Sequence, residues 1–160
     1  MRFAVCLANI GSYSDPRVAI DVAAAAESSG WDGVFVWDHL AFVWGPPAAD
    51  PWVTLAAIAA RTHRIRIGTA VTPLARRRPH VVAQQVATLD VLSRGRVTFG
   101  AGLGGAPSEF GKFGEPTEAH VRAGAIDRFT VHTTASRRPL ARASASFSAY
   151  NDALGSMHLT

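Results

Sequence analysis

A chain of 160 residues with 48% hydrophobic and 18% charged residues has the apolar material for a folded core, which excludes a disordered chain as the general reading. Its single cysteine, Cys6, excludes an internal disulfide framework and fits a reducing, cytoplasmic setting. The net charge of +4 comes from scattered arginines and short clusters, which points to no nucleic-acid partner, and no stretch is long and apolar enough to span a bilayer as a helix.

In chain order, residues 3–7 form the first strand-like run; it passes into Ser12 and Asp15 without the cleavage site of a secretory signal. Asp15-Pro16 then opens a helix, an N-cap carboxylate followed by proline in the first turn, with Val18, Val22 and Ala26 on one face and Ser29-Gly30 at its end. Residues 34–37 are a second strand that stops abruptly at Asp38-His39. Asp50-Pro51 repeats the helix opening, with Leu55, Ile58 and Ala59 as the apolar stripe. Residues 65–71 are the third strand, followed by a helix from Pro79 that carries Val82, Val86 and Leu89 and ends at Ser93-Arg94-Gly95. Residues 97–102 are the fourth strand. All four runs are too apolar for one wet face, so the pattern predicts βαβαβαβ with a parallel sheet covered on both sides. From Glu118 onward no strand-like run appears, and a segment such as Thr133-Thr134-Ala135-Ser136-Arg137-Arg138-Pro139 buries too little to offset the entropy of ordering it.

Asp38 and His39 are the first site candidates, because the carboxyl ends of parallel strands are where α/β folds bind ligands. A histidine there can exchange protons near neutral pH or donate to a polar ring edge, and the competing reading is a histidine that braces its loop. Gly100-Ala101-Gly102-Leu103-Gly104-Gly105 contains G-x-G-x-x-G, but Pro107, Gly111, Gly114 and Pro116 break the helix that a dinucleotide fingerprint requires. Those glycines are read instead as letting a flat ligand approach the backbone. Arg76-Arg77-Arg78, without aromatic neighbours, reads as a solvated loop, the histidines show no metal-ligand spacing, and Trp44 is a candidate pocket wall.

Residues 1–127 resemble the luciferase-like monooxygenase superfamily, the flavin- or deazaflavin-dependent (β/α)8 barrels. The resemblance rests on Gly30-Trp31-Asp32-Gly33-Val34-Phe35-Val36-Trp37-Asp38-His39, on Ile65-Arg66-Ile67-Gly68-Thr69-Ala70-Val71-Thr72-Pro73-Leu74, and on the stretch from Ala87 through Leu92-Ser93-Arg94-Gly95-Arg96 to Gly102. Glu109-Phe110 and Phe113-Gly114-Glu115 extend it. The resemblance implies cofactor contact for Asp38 and proton transfer for His39. It also implies a third-strand bulge at Ala70, Val71 and Thr72, with a non-proline cis peptide, whose backbone supports the cofactor ring, and cofactor contact for Gly102. The sugar-phosphate dehydrogenase branch places a glutamate after the fourth-strand glycines, where this chain has Gly105.

The implied activity is hydride transfer or oxygenation of a small organic substrate with coenzyme F420, or else reduced FMN. A complete barrel of this kind takes about 250 residues and draws its phosphate loops from the seventh and eighth strands. The expected architecture is therefore α/β, a partial TIM barrel of about the first four βα units over residues 1–127, with an irregular, out-of-frame or disordered tail over residues 128–160. Such a half-barrel is expected to be truncated, inactive alone, and homo-oligomeric or aggregation-prone; the alternative is a non-catalytic fragment or interaction module.

Overall fold

The computed structural model describes residues 1–41, 45–105 and 107–135, with side chains described as far as residue 127. Four parallel strands form one sheet in the order β1 (Ala4–Leu7), β2 (Gly33–Val36), β3 (Arg66–Thr69) and β5 (Val97–Thr98). Two further short strands, β4 (Thr72–Pro73) and β6 (Ala101–Gly102), pair in parallel just beyond β3 and β5. The third and fourth strand-like runs of the sequence are thus each broken once. The break in the third lies at Ala70–Val71, whose peptide bond is cis.

Between the strands run α1 (Pro16–Ser28), α2 (Pro51–Arg61) and α3 (Pro79–Leu92), and α4 (Pro107–Lys112) and α5 (Ala119–Ala135) follow. The Asp-Pro openings work as the sequence indicates. The Asp15 side chain accepts from the amide of Arg17, and that of Asp50 accepts from the amides of Trp52 and Val53, satisfying helix donors that have no partner within the helix. The predicted stripes of α2 and α3 are buried. In α1 the buried face is Ala19, Ala23 and Ala26, while Val18 lies 38% exposed. Both sets have helical spacing, and the small side chains face the neighbours because they let α1 approach β2 and α2 closely.

The strand register gives the sheet two unlike faces. Val5, Leu7, Val34, Val36 and Ile67 share the face under the helices, where Leu55, Ile58 and Leu89 complete the core. The other face carries Ala4, Cys6, Phe35 and Arg66, of which Ala4, Cys6 and Arg66 are exposed. Among the described residues helices cover one face, so the expectation of a sheet covered on both sides is corrected: the second face is the lumen side of a barrel wall, not a surface for crossover helices. The architecture is that of a TIM-barrel wall carrying part of the fold.

The ends of the elements opposite the Asp38-His39 turn are tied by side chains. The Glu27 carboxylate accepts from the amides of His63, Arg64 and Ile65 at 2.6 to 3.0 Å. The Arg96 guanidinium donates to the carbonyls of Ala59, Thr62 and Ile65 and to Thr62 Oγ1. Helix α5 packs on α3 and crosses the boundary expected at residue 127; residues 136–160, most of the expected irregular tail, lie outside the described residues. No helix among the described residues is long and apolar enough to cross a membrane.

Candidate active site

Where β2 ends, the chain leaves the sheet through Trp37, Asp38 and His39, and these residues line a pocket of about 140 Å³. The same pocket is lined by Ala70, Val71 and Pro73 from the break between β3 and β4, by Arg76, and by Gly104 and Gly105 after β6. Three consecutive strand ends therefore meet at one place, as parallel strands must when their carboxyl ends share a side. Trp44 lies outside the described residues.

His39 is gripped twice. Its N–H donates to Asn9 Oδ1 at 3.1 Å, and its carbonyl accepts from Asn9 Nδ2 at 2.8 Å. Its ring Nδ1 lies 2.8 Å from Glu109 Oε2. The Trp37 ring is tilted at 59° to the imidazole, with centroids 5.5 Å apart.

Glu109 is 1% exposed and also accepts from the amides of Leu40 and Ala41 at 2.6 and 3.1 Å. Arg76 donates to the same carboxylate at 3.2 Å. Burial alone would raise this acid, but Arg76, the two amides and His39 outweigh it and hold the carboxyl at about 2.

Asp38 is 2% exposed; its Oδ1 pairs with the Arg77 guanidinium, and its Oδ2 has no hydrogen-bond partner among the described residues. The expectation of a solvated Arg76-Arg77-Arg78 loop therefore fails for its first two members. The Arg76 side chain is 2% exposed and the Arg77 side chain 16%, because a 3-10 turn at Leu74–Arg76 points both at buried carboxylates. Only Arg78 is exposed.

Thr72 is fully buried and does not line the pocket. Its hydroxyl bonds to Thr69 Oγ1 at 3.0 Å, and Thr69 Oγ1 donates to the Gly100 carbonyl at 2.9 Å, which ties the two broken strands together. Gly102 also stands behind the pocket wall. A Cβ there would come within 2.5 Å of Val71 Cγ2, and one on Gly100 within 2.1 Å of the Thr69 carbonyl oxygen. These two glycines admit a neighbouring strand, whereas Gly104 and Gly105 border the pocket.

Sequence reasoning missed Asn9, Glu109, Arg76 and Arg77 as site residues. Glu109 lies 70 positions from His39, so no local spacing links them. The available signal was a glutamate and a phenylalanine with apolar surroundings in a glycine- and proline-rich stretch. Gly105 stands where the resemblance implies a glutamate, and a buried glutamate stands four positions on.

The sequence profile of the family described as luciferase-like monooxygenase matches residues 1–125. A curated F420-dependent glucose-6-phosphate dehydrogenase from Beutenbergia cavernae is 47% identical over 100 residues, covering 59% of this chain and 29% of that protein. One from Nakamurella multipartita is 43% identical over 100 residues with the same shares. The chain thus spans under a third of the length of these relatives. Among solved structures, an F420-dependent secondary alcohol dehydrogenase in complex with an F420-acetone adduct superposes with a TM-score of 0.66 at 31% identity, over 76% of this chain and 37% of that one. An FMN complex of the oxygenating constituent of 3,6-diketocamphane monooxygenase from Pseudomonas putida shares the fold, with a TM-score of 0.65 at 19% identity over 81% of this chain and 39% of that one. With its profile matched from residue 1 to residue 125, the chain belongs to the luciferase-like monooxygenase family.

Proposed function

We propose that this chain carries the cofactor-facing part of an F420-dependent oxidoreductase acting on a small organic substrate, with His39 as its proton-handling residue. The observation that carries the reading is the joint placement, in one pocket, of a twice-held histidine, the apolar residues Ala70, Val71 and Pro73, and Asp38, whose buried Oδ2 has no hydrogen-bond partner among the described residues. The fit to a ring-shaped cofactor rests on these residues. Ala70, Val71 and Pro73 give an apolar shelf, and Asp38, which lines the same pocket, has an acceptor Oδ2 with no hydrogen-bond partner among the described residues. When bound, the deazaflavin supplies hydride exchange at carbon.

The chain's own residues do the rest. His39 takes or gives the proton that accompanies hydride transfer. Asp38 accepts a hydrogen bond from the bound ring. The Ala70-Val71 backbone would support the ring's face, with Thr72 and Gly102 holding that backbone from behind. F420 is preferred to FMN because the relatives at 40 to 47% identity are F420-dependent enzymes. We place the protein in the cytoplasm and expect it to self-associate.

Fluorescence titration of the 160-residue chain with F420 and, separately, with FMN tests the reading. Saturable binding of F420 in preference to FMN, weakened in Asp38→Ala, is the expected result. Preferential binding of FMN would move the chain to the flavin branch, and binding of neither would favour a non-catalytic module.

A further inference from the structure

We propose that Glu109 is the positioning residue that fixes both the ring orientation and the neutral tautomer of His39, so that proton exchange at His39 runs through Nε2. This rests on the reading of His39 as the proton-handling residue, but the tautomer is a property of the chain itself and is measurable without cofactor.

Asn9 removes the freedom of the His39 backbone. A single carboxamide, 2% exposed, bonds the N–H and the C=O of the same residue, and its Nδ2 is anchored on the Ala49 carbonyl at 2.6 Å. Sliding the His39 backbone would break both of its bonds to Asn9 at once. Glu109 then removes the freedom of the ring. Its two oxygens differ in their other partners: Oε1 accepts from the Leu40 and Ala41 amides, Oε2 faces His39 Nδ1 at 2.8 Å, and the Arg76 guanidinium spans both, with Nη1 3.2 Å from Oε1 and Nη2 3.2 Å from Oε2.

An ionised carboxylate only accepts hydrogen bonds, and a neutral imidazole carries one N–H. The proton between Glu109 and His39 therefore sits on Nδ1, and Nε2 carries the lone pair. Arg76 keeps the arrangement in place by opposing protonation of Glu109, and its own guanidinium is held over the Phe110 ring, 4.6 Å from the centroid.

The difference between the two oxygens makes Glu109→Gln a directed test. The two backbone amides need an oxygen at the Oε1 place, which turns the new NH₂ group toward His39. Nδ1 must then accept, and the ring's proton moves to Nε2. The readout is ¹⁵N NMR, in solution or in the solid state, of the full chain labelled at histidine, with the His39 signals identified by their loss in His39→Gln. The expected spectrum of the neutral ring shows Nδ1 in the protonated range and Nε2 in the unprotonated range, with the two exchanged in Glu109→Gln.

A wild-type spectrum with Nε2 protonated overturns the proposal, and so does a folded Glu109→Gln chain that keeps Nδ1 protonated. If that variant does not fold, the wild-type spectrum decides alone. Failure of the F420 titration would overturn the functional reading without touching this result, and a wrong tautomer would overturn this proposal without touching cofactor binding.

Discussion

Glu109 is surrounded by groups that favour its ionised form, which gives the site a pH dependence of definite sign. Its carboxyl is held at about 2 against an ordinary 4.5, so the folded chain binds fewer protons than the unfolded one between those values. A lowered folded-state value means stability that is fully present above 4.5 and lost as pH falls toward 2. Denaturant unfolding at about pH 6 and about pH 3.5 should show this loss in the wild-type chain and a smaller loss in Glu109→Gln. His39 carries a second prediction at this scale. In a frame-restored, full-length version of the enzyme, His39→Ala should lower turnover by roughly 10²-fold or more, the scale of a lost acid or base, with little change in folding. Unchanged turnover would remove His39 from the mechanism. Asp38 and His39 were legible because a strand end announces itself by an abrupt change of polarity. Asn9 and Glu109 were not, because their roles come from contacts 30 and 70 positions away.

The elements were legible wherever a local pattern had only one solution. Asp50-Pro51 followed by the spacing of Leu55, Ile58 and Ala59 allows one helix with one buried face, and that helix is α2. In α1 two stripes were available, and the choice between valines and alanines was made by the distance to the neighbouring elements. The breaks in the third and fourth strands were hidden for a related reason: periodicity registers which residues are apolar, not where pairing shifts from β3–β5 to β4–β6. Glycine decides how close those strands come. A Cβ on Gly68 would lie 1.7 Å from the Thr98 carbonyl oxygen, a backbone atom that cannot swing away. Gly68→Ala should therefore destabilise the chain by about 2 to 3 kcal/mol, at the upper end of ordinary overpacking. A Cβ on Gly105 meets nothing within 4 Å, so Gly105→Ala should leave the unfolding midpoint unchanged. Paired denaturation curves check both. Loss of the Asp50 cap in Asp50→Ala should cost about 1 kcal/mol by the same measurement.

For the whole molecule, the order β1-β2-β3-β5 and its parallel sense followed from strands alternating with helices, yet the sequence did not show which sheet face the helices leave open. Ala4 and Cys6 are exposed on that face, and among the described residues β1 has a strand on one side only, so its other side offers backbone donors and acceptors that no described strand pairs. Phe3, immediately before β1, is 56% exposed, and Trp31, which enters the turn before β2, is 40% exposed. A parallel edge with an exposed phenylalanine at its start, and with no edge proline or inward charge on β1 itself, is a template for pairing with another copy. The purified chain should therefore self-associate in a concentration-dependent way. A lysine on that edge should oppose the pairing without entering the core, since Ala4 faces away from the helices. Sedimentation velocity of the wild type and of Ala4→Lys tests this: the wild type should shift to larger species as concentration rises, and the variant should shift less while keeping the same far-UV circular dichroism. A wild-type chain that stays monomeric across the concentration series would mean that the open face and the β1 edge are not the associating surface.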